Sequence, residues 1–282
     1  GYVAGGQLDG DTIANFSNVT AEHNTRADFT GDDNDNVLIG SNEDDVLRGL
    51  GGNDTLIGDL GYNGTSNADR LVGGAGDDTL IGGGGNDVLF GNDEDLSVAA
   101  NVYAQVGEND RAVYDGDMLG YTVSLRSDGG LDVTDIAAGT TDALYGIENI
   151  VFNDGCIELA KVQLFDASDK LMGSLGDLKA AGDFANADAG ATFTIRLPGG
   201  DVDMGGGQVV IDKDISIIGA GENATTLHID FDTAGSSSSD LSGAILVKAG
   251  REGDFSDFAI DGAGHKVAMA IRHLGDGTVE DV

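Results

Sequence analysis

The chain has few of the residues that support several common modes of stabilisation and recognition. Its 282 residues include one cysteine, one proline, no tryptophan, and 14 lysines and arginines against 50 aspartates and glutamates. The single cysteine, Cys156, excludes an internal disulfide framework. So few bases leave no basic patch to neutralise phosphates, which argues against nucleic acid and anionic membranes as partners. No stretch approaches the ~20 apolar residues of a transmembrane helix.

Side-chain motifs of catalysis are missing as well. The sequence contains no G-x-S-x-G, no H-E-x-x-H and no Walker loop. The four histidines, at positions 23, 228, 265 and 273, show no close spacing that would indicate zinc. The chain does not begin with Met and opens on no signal-peptide pattern, so we expect it to be a piece of a longer protein.

Negative charge and glycine are abundant instead. The formal net charge is −36, and there are 47 glycines. Residues 31–96 alone carry 15 acidic side chains against two bases, Arg48 and Arg70. Such an excess of one sign opposes compaction by self-repulsion. We therefore expect this segment not to fold without cations.

A nine-residue period runs through residues 31–90. Its cleanest copies, GGAGDDTLI at Gly73–Ile81 and GGGGNDVLF at Gly82–Phe90, follow G-G-x-G-x-D-x-U-x, where U is a large apolar residue. The eighth position recurs at spacings of 9, 9, 15, 9 and 9, at Leu38, Leu47, Leu56, Leu71, Leu80 and Leu89. The long interval is a six-residue insertion around residues 60–66. Degenerate copies of the repeat are expected at residues 6–14 and 27–30, and the pattern is lost over residues 91–96.

The two halves of the unit predict a turn and a strand. Glycines allow a positive φ and turn carbonyl groups inward, while D-x-U-x is a short strand with one apolar side chain in a thin core. A period of this kind is typical of a calcium-binding solenoid. Calcium takes six to eight oxygen ligands, which stacked turns supply as carbonyls and carboxylates. A disordered acidic linker is the competing interpretation, but a linker would not keep leucine in phase.

These repeats resemble the RTX, or hemolysin-type, family of secreted bacterial proteins, in which two nonapeptides make one coil of a parallel β-roll. The resemblance implies that each unit pairs with the unit two further on. It places an ion between the turn ending at Asp54, with the Gly52 carbonyl, and the turn of Gly73, Ala75 and Asp78. It also implies several bound Ca²⁺ ions and export by type I secretion.

On the other edge, the resemblance pairs Asp69 with the turn of Gly82, Gly84 and Asp87. Asn36 replaces an aspartate, and residues 34 and 43 lack the usual glycine, so we expect the first sites to be weaker. The candidate metal-binding residues are Asn36, Asp45, Gly49, Gly51, Gly52, Asp54, Asp69, Gly73, Gly74, Ala75, Gly76, Asp78, Gly82, Gly83, Gly84, Gly85 and Asp87.

Residues 97–164 lack the nonapeptide and show period-two strands between Gly/Asp turns. The sequence DRAVYDGDMLGYTVSL, followed by TTDALYGIENIVFNDG, resembles the segment that follows the repeats in many RTX proteins, including the R-modules of mannuronan epimerases. A solenoid needs a terminus that covers its apolar strand edges. We therefore expect a small β cap here.

Residues 165–282 begin with a helical stretch, SLGDLKAAGDFANA, in which Leu175, Leu178, Ala181 and Ala185 share one side. Short β-branched strands follow. The segment resembles the helix-capped first coils of right-handed parallel β-helices of the pectate-lyase-like class, and we expect about four coils of roughly 20–25 residues. Residues that are catalytic candidates only by position are Asp230, Asp232, Asp254, Asp257, Asp261, His265, Arg272 and His273.

The sequence thus predicts an all-β chain in four parts: a degenerate lead-in at 1–30, the β-roll at 31–96, the cap at 97–164, and a truncated β-helix at 165–282. We expect a calcium-binding structural segment of a secreted or cell-surface bacterial protein that folds on binding Ca²⁺ after export. The alternative is a non-catalytic R-module joined to an incomplete β-helix of a polysaccharide lyase, hydrolase or epimerase. No catalytic residue is assigned, and the expected partners are calcium and either polysaccharide or further copies of the chain.

Overall fold

In the computed structural model the chain divides into two units, Gly1–Glu158 and Leu159–Val282. The structure describes residues 12–14, 18–22, 24–59, 67–92, 109–159, 161–188, 190, 192–220, 225–233, 243–262, 264–267, 269–274, 276–280 and 282. Two segments singled out in the sequence lie outside this part: the degenerate copy expected at residues 6–14, apart from its last three residues, and the insertion at residues 60–66. The secondary structure of the described residues is almost entirely β, with largely parallel sheets, as the sequence predicts.

Two sheets of short strands form the first unit. The first sheet has the order β1-β3-β5-β7-β9-β13-β12-β11, and the second β15-β14-β10-β8-β6-β4-β2. Their bounds are β1 Thr12–Ala14, β2 Asn18–Thr20, β3 Asp28–Thr30, β4 Val37–Ile39, β5 Val46–Gly51, β6 Thr55–Ile57, β7 Arg70–Ala75, β8 Thr79–Ile81, β9 Val88–Phe90, β10 Arg111–Val113, β11 Tyr121–Leu125, β12 Leu131–Asp135, β13 Thr141–Tyr145, β14 Asn149–Phe152 and β15 Gly155–Glu158, with a 3₁₀ turn at Met118–Gly120. Odd-numbered and even-numbered strands alternate between the sheets up to β9, so each pair of units completes one coil.

The register confirms that each unit stacks on the unit two further on. Leu38 lies opposite Leu56 and Leu71 opposite Leu89, in parallel pairs 18 residues apart. Across the insertion the offset grows to 24 residues, with Leu47 opposite Leu71. The eighth-position leucines are fully buried between the sheets. Because each repeat sends one leucine inward, the core is one leucine thick and depends on continuous stacking.

The stacking extends into the residues expected to form a cap. Strand β10 adds to β8 in parallel, with Ala112 opposite Leu80, and β13 adds to β9, with Leu144 opposite Leu89. Strand β14 then pairs with β10. Antiparallel strands β11, β12 and β15 finish the two sheets. The cap therefore contains further roll strands, closed by hairpins that pair the last strand edges.

The second unit is a parallel β-helix with three sheets. Their orders are β17-β16-β18-β21-β24-β27, β19-β22-β25 and β20-β23-β26. The bounds are β16 Val162–Asp166, β17 Leu171–Leu175, β18 Thr192–Arg196, β19 Gly200–Asp203, β20 Val209–Ile211, β21 Asp214–Ile218, β22 Thr225–His228, β23 Gly243–Val247, β24 Gly253–Ser256, β25 Ala259–Asp261, β26 Met269–His273 and β27 Val279–Glu280. From β18 onward the chain visits the three sheets in turn, so three strands make one coil. Strand β16 spans the boundary expected between residues 164 and 165 and pairs with β17 and β18.

One helix, α1 (Leu178–Ala187), packs onto the core of this unit. Its N-cap Asp177 has an extended backbone, and its side chain accepts a 2.7 Å hydrogen bond from the Ala180 N–H. This cap stops the helix short of Leu175, which ends β17 instead of joining the helical face as expected. The apolar side chains of Leu178, Ala181 and Ala185 are fully buried.

Candidate metal centre

The sixth-position side chains form a ladder along each edge of the roll. Asn36, Asp45, Asp54, Asp69, Asp78 and Asp87 are each about 1% exposed. One oxygen of each carboxylate accepts the backbone N–H of the sixth-position residue one coil earlier. Asp54 Oδ1 accepts from Asn36 at 2.7 Å, Asp69 Oδ1 from Asp45 at 2.8 Å, and Asp87 Oδ1 from Asp69 at 2.9 Å. The ladder fixes each carboxylate at the corner between a turn and a strand.

The second carboxylate oxygen has a different environment. Oδ2 of Asp54, Asp69 and Asp87 is buried and accepts no hydrogen bond within the part of the chain that the structure describes. A buried polar atom without a partner costs roughly 1–3 kcal/mol, and more when it is charged. These three oxygens are therefore positioned to bind a hydrogen-bond donor or a cation that the described protein atoms do not supply.

A first-position glycine makes room for each of these oxygens. A Cβ on Gly49 would overlap Asp54 Oδ2 and lie 2.5 Å from the Gly73 carbonyl oxygen. A Cβ on Gly58 would likewise overlap Asp69 Oδ2 and lie 2.5 Å from the carbonyl oxygen of Gly82. A carboxylate oxygen and a carbonyl oxygen of the next coil thus converge beside a glycine that must lack a side chain.

Fourth-position glycines let neighbouring turns approach closely. Gly76 has φ +128°, and a Cβ there would overlap the carbonyl oxygen of Gly52 in the turn one coil earlier. The same stacking places Gly51 opposite Ala75. Only glycine adopts such a φ without strain, so the repeat brings the carbonyl groups of successive turns together.

The space between successive turns, where each carboxylate Oδ2 meets a carbonyl oxygen of the next coil, is called the seam. Burial in the seam raises the pKa of the carboxylates. Burial is the main cause that raises the pKa of Asp69 to about 8, and the charges of Asp87, Asp59 and Asp45 add to it. Burial and the charge of Asp142 raise the pKa of Asp87 to about 7. The pKa values of Asp45 and Asp54 are raised to about 6, again mainly by burial. Without a cation, Asp69 and Asp87 therefore resist ionisation near neutral pH.

The donor set fits calcium. No cluster of three or more His, Cys, Asp or Glu side chains able to hold a metal occurs among the described residues. Any ion in the seam must therefore draw largely on backbone carbonyl oxygens. A hard oxygen-only set of carbonyls and carboxylates suits Ca²⁺ and lacks the nitrogen and sulfur ligands that zinc prefers.

The structure places the predicted sixth-position residues of successive coils side by side on each edge. On the first edge, where turns begin at Gly31, Gly49 and Gly73, the Asp54 N–H donates to Asp78 Oδ1 at 2.7 Å. On the second edge, where turns begin at Gly40, Gly58 and Gly82, the corresponding pair is Asp69 with Asp87. Asn36 differs, because its Oδ1 already accepts the Asp32 N–H at 2.8 Å. A weaker first site remains the prediction.

A second ladder, at the fifth position, was not anticipated from the sequence. The Asn53 N–H donates to Asp35 Oδ1 at 2.8 Å, and the Asp77 N–H donates to Asn53 Oδ1 at 3.1 Å. Here a side chain accepts from the following coil, whereas the sixth position accepts from the preceding one. The signal was present in the sequence, since five of the six units carry Asp or Asn at this position: Asp35, Asp44, Asn53, Asp77 and Asn86.

The cap supplies three further acids to the sixth-position ladder. Asp110 Oδ1 accepts the Asp78 N–H at 2.8 Å, and Asp142 Oδ1 accepts the Asp87 N–H at 2.9 Å. Glu148 Oε2 then accepts the Asp110 N–H at 2.6 Å. Each begins an acid-x-apolar-x segment, DRAV, DALY or ENIV, which is the second half of a repeat without its glycine half.

In the second unit, the carboxylates singled out by position close turns. Asp230 accepts the Gly206 N–H at 3.0 Å. Asp232 accepts the Lys266 N–H at 2.9 Å, and Asp254 accepts the Thr278 N–H at 2.8 Å. These contacts tie one coil to the next.

The other positional candidates are spread over the coils. Asp261 lies 3.5 Å from His228 Nδ1, and His265 lies 3.2 Å from Asp232. Asp257 has φ +65°. Arg272 lies on β26, in a different sheet from His228, and the side chain of His273 is outside the described part. His228, which the sequence did not single out, also lies 3.0 Å from Asp201.

A comparison with known protein families finds a match for the repeats of the roll. Residues 30–64 and 63–95 match the family model of the RTX calcium-binding nonapeptide repeat, in four copies. No curated protein matches the chain. Among the described residues, no helix is both long enough and apolar enough to cross a membrane. Residues 30–95 are thus similar to this repeat family, and Ca²⁺ is the ligand expected of such repeats.

Proposed function

We propose that the first unit is a structural segment of a secreted or cell-surface bacterial protein, and that it folds when it binds several Ca²⁺ ions after export. The observation that carries this proposal is the set of buried Oδ2 atoms of Asp54, Asp69 and Asp87, which no described group satisfies. In each seam, the aspartate Oδ2 and the neighbouring carbonyl oxygens would hold the ion. The ion supplies positive charge between coils.

The roll's own residues explain why folding waits for the cation. Stacking brings acids of successive coils into one buried seam, and 15 acids face two bases across residues 31–96. The core is only one leucine thick, so little apolar burial offsets this repulsion. Under such conditions the free energy of metal binding becomes free energy of folding.

Coupling to calcium also suits passage through a secretion channel. Sites of extracellular modules commonly bind Ca²⁺ with dissociation constants of about 10⁻⁴–10⁻³ M. At the much lower calcium concentration inside a cell, such sites stay empty and the segment stays unfolded. Outside, millimolar calcium orders it. This is the physical basis for proposing type I secretion.

A second candidate function rests on the second unit. Its three sheets, whose strands pair in parallel from β18 onward, and the helix α1 packed on the core support the pectate-lyase-like resemblance. In that case the roll would be the non-catalytic module of a polysaccharide-modifying enzyme. Incubating the chain with alginate and with pectate in calcium, and following chain length and unsaturated products, separates the two. Turnover by this chain, or binding of either polysaccharide without turnover by the incomplete β-helix, favours the enzyme module, whereas neither binding nor turnover favours the structural role.

Hydrogen exchange tests the structural proposal by region. The full chain is exchanged in chelator and in 5 mM calcium, and protection is read peptide by peptide. We expect backbone amides of residues 30–92 to exchange fast in chelator and slowly in calcium, while strands β18–β24 serve as the internal control. Protection of the repeats that is equal in both conditions would refute the proposal.

A further inference from the structure

The coil that stacks on the last second-edge repeat has a tyrosine where the repeat has its first-position glycine. Gly58 follows strand β6 and Gly82 follows β8, and Tyr114 follows β10 in the same way. The Tyr114 N–H donates to the Val151 carbonyl of the next coil at 2.9 Å, just as the Gly58 N–H donates to the carbonyl of Ile81. Tyr114 is therefore the first-position residue of its coil.

The sixth-position acid of this coil is Asp142. Its Oδ1 accepts the Asp87 N–H at 2.9 Å, in the contact that also joins Asp87 to Asp69. Tyr114 and Asp142 thus belong to one coil, as Gly82 and Asp87 belong to the coil before it. In that earlier coil, a Cβ on Gly82 would overlap Asp87 Oδ2. The space that glycine leaves beside the carboxylate receives an aromatic side chain at Tyr114.

The hydroxyl of Tyr114 is buried between the two carboxylates of this edge. Burial raises the pKa of the phenol, and the charge of Asp142 and then that of Asp87 add to the effect. Asp142 acts on the phenol through contact as well as charge, although the two groups do not meet at ordinary hydrogen-bond geometry. An oxygen that both carboxylates affect lies between the coil of Asp87 and its own coil.

Ring packing holds the side chain in this place. The Tyr114 ring stacks on Phe152 with centroids 5.7 Å apart, and it is tilted against Tyr121 at 5.2 Å. Strand pairing ends early beside it, because β8 and β10 pair over two residues, whereas β6 and β8 pair over three. The regular stacking of the roll therefore changes at the turn where tyrosine replaces glycine.

The carbonyl that completes the earlier seams is not found next to Gly82. At Gly58, a Cβ would lie 2.5 Å from the Gly82 carbonyl oxygen of the next coil. At Gly82, the three nearest described atoms all belong to Asp87. The first edge differs, because a Cβ on Gly91 would lie 2.1 Å from the Gly146 carbonyl oxygen. The change in stacking is thus confined to the edge that carries the tyrosine.

We propose that the Tyr114 side chain fills the place of a calcium ion on the second edge, and that the calcium array of this edge ends at the turn of Gly82 and Asp87. The inference rests on the proposed function and deepens it, since it fixes where the bound ions stop. The hydroxyl faces Asp142 in place of a cation. Aromatic packing, which buries a large apolar area, then joins the last coil of this edge to the roll without an ion.

The calcium stoichiometry of full-chain variants tests the inference. Tyr114→Gly restores the glycine of the repeat, and we expect it to bind one more Ca²⁺ than the wild type at saturation. Tyr121→Gly is the matched control, because it removes a ring of the same cluster and leaves Tyr114 in place. Its count should equal that of the wild type. Native mass spectrometry and calorimetric titration count the ions, and a gain in both variants or in neither would overturn the inference.

Tyr114→Phe decides the question if the glycine variant does not fold. It keeps the ring and removes the oxygen, so we expect the same number of ions as in the wild type. One ion fewer would show that the hydroxyl is a calcium ligand, and the inference would fall. Failure of the proposed function looks different, because the wild type itself would then gain neither bound calcium nor structure. Failure of the inference alone leaves calcium-coupled folding intact.

Discussion

At the scale of single residues, each sixth-position aspartate has two tasks. Its Oδ1 accepts a backbone N–H from the preceding coil, and its Oδ2 faces the seam where carbonyl oxygens converge. The positions of these acids and of the buried leucines could be predicted, because both repeat with a strict period. The part played by the second position could not be predicted, because only Gly74 and Gly83 follow the pattern there and the other four units carry Asp32, Ser41, Leu50 and Asp59.

Asparagine at a sixth position separates the two tasks. Asp87→Asn keeps an Oδ1 that accepts the Asp69 N–H and removes the charge of the group whose Oδ2 faces the seam. We expect the calcium midpoint of folding to rise several-fold. Asp33→Asn is the control, because Asp33 is exposed in the third position. Equal midpoints for the two variants would show that the carboxylate at 87 is not a ligand.

Leu50 tests backbone strain at a second position. It has φ +83° and is 47% exposed, where two other units have Gly74 and Gly83 at φ +111° and +106°. A left-handed conformation costs an L-residue roughly 1–2 kcal/mol, and the extra freedom of unfolded glycine returns about 0.5–1 kcal/mol. Leu50→Gly should therefore raise the free energy of unfolding in saturating calcium by about 0.5–1 kcal/mol, measured by denaturant titration. A loss of stability would mean that the exposed leucine makes a contact worth more than the strain.

At the scale of elements, stacking of coils decides which residues meet. Partners 18 residues apart follow from the period, and the offset of 24 follows from the insertion. The ladder partners of the cap were beyond the reach of the sequence, because Asp78 and Asp110 are 32 residues apart and Asp87 and Asp142 are 55 apart. Long excursions break the period while the strands return to the same stack.

If the cap strands belong to the roll, damage to the cap should weaken the repeats. Leu144 is buried opposite Leu89, and Leu144→Ala should cost about 2–5 kcal/mol. We expect the calcium midpoint of residues 30–92 to rise with it, read by hydrogen exchange. Ile136→Ala, at an exposed position, is the control. A Leu144→Ala variant whose repeats keep their calcium response would show that the cap folds independently.

At the scale of the whole first unit, protons and calcium compete for the same buried acids. Asp69 and Asp87 have pKa values raised from 3.8 to about 8 and about 7. A raised pKa means that the folded state binds the proton more tightly than the unfolded chain does. The metal-free roll is therefore most stable below the ordinary aspartate pKa of 3.8, and it loses that stability as the pH rises from there through the folded pKa values of about 7 and about 8.

Two trends with pH follow from this competition. In chelator, strand content should increase as the pH falls from 8 to 5, and the calcium midpoint should also increase, because calcium must displace more protons. Circular dichroism at pH 8, 6 and 5 measures both. Strand content in chelator that is constant or falls on acidification would contradict the assignment of these carboxylates as buried acids.

The central claim is that calcium folds the repeats, and a far-ultraviolet circular dichroism titration of the full chain tests it most directly. At pH 7.5, starting in chelator, we predict a gain of strand signal that saturates at millimolar Ca²⁺, above the constant contribution of the second unit. The same concentration of Mg²⁺ should not reproduce it, because Mg²⁺ demands near-octahedral geometry and gives up its water reluctantly. An identical spectrum in chelator and in calcium would contradict the account.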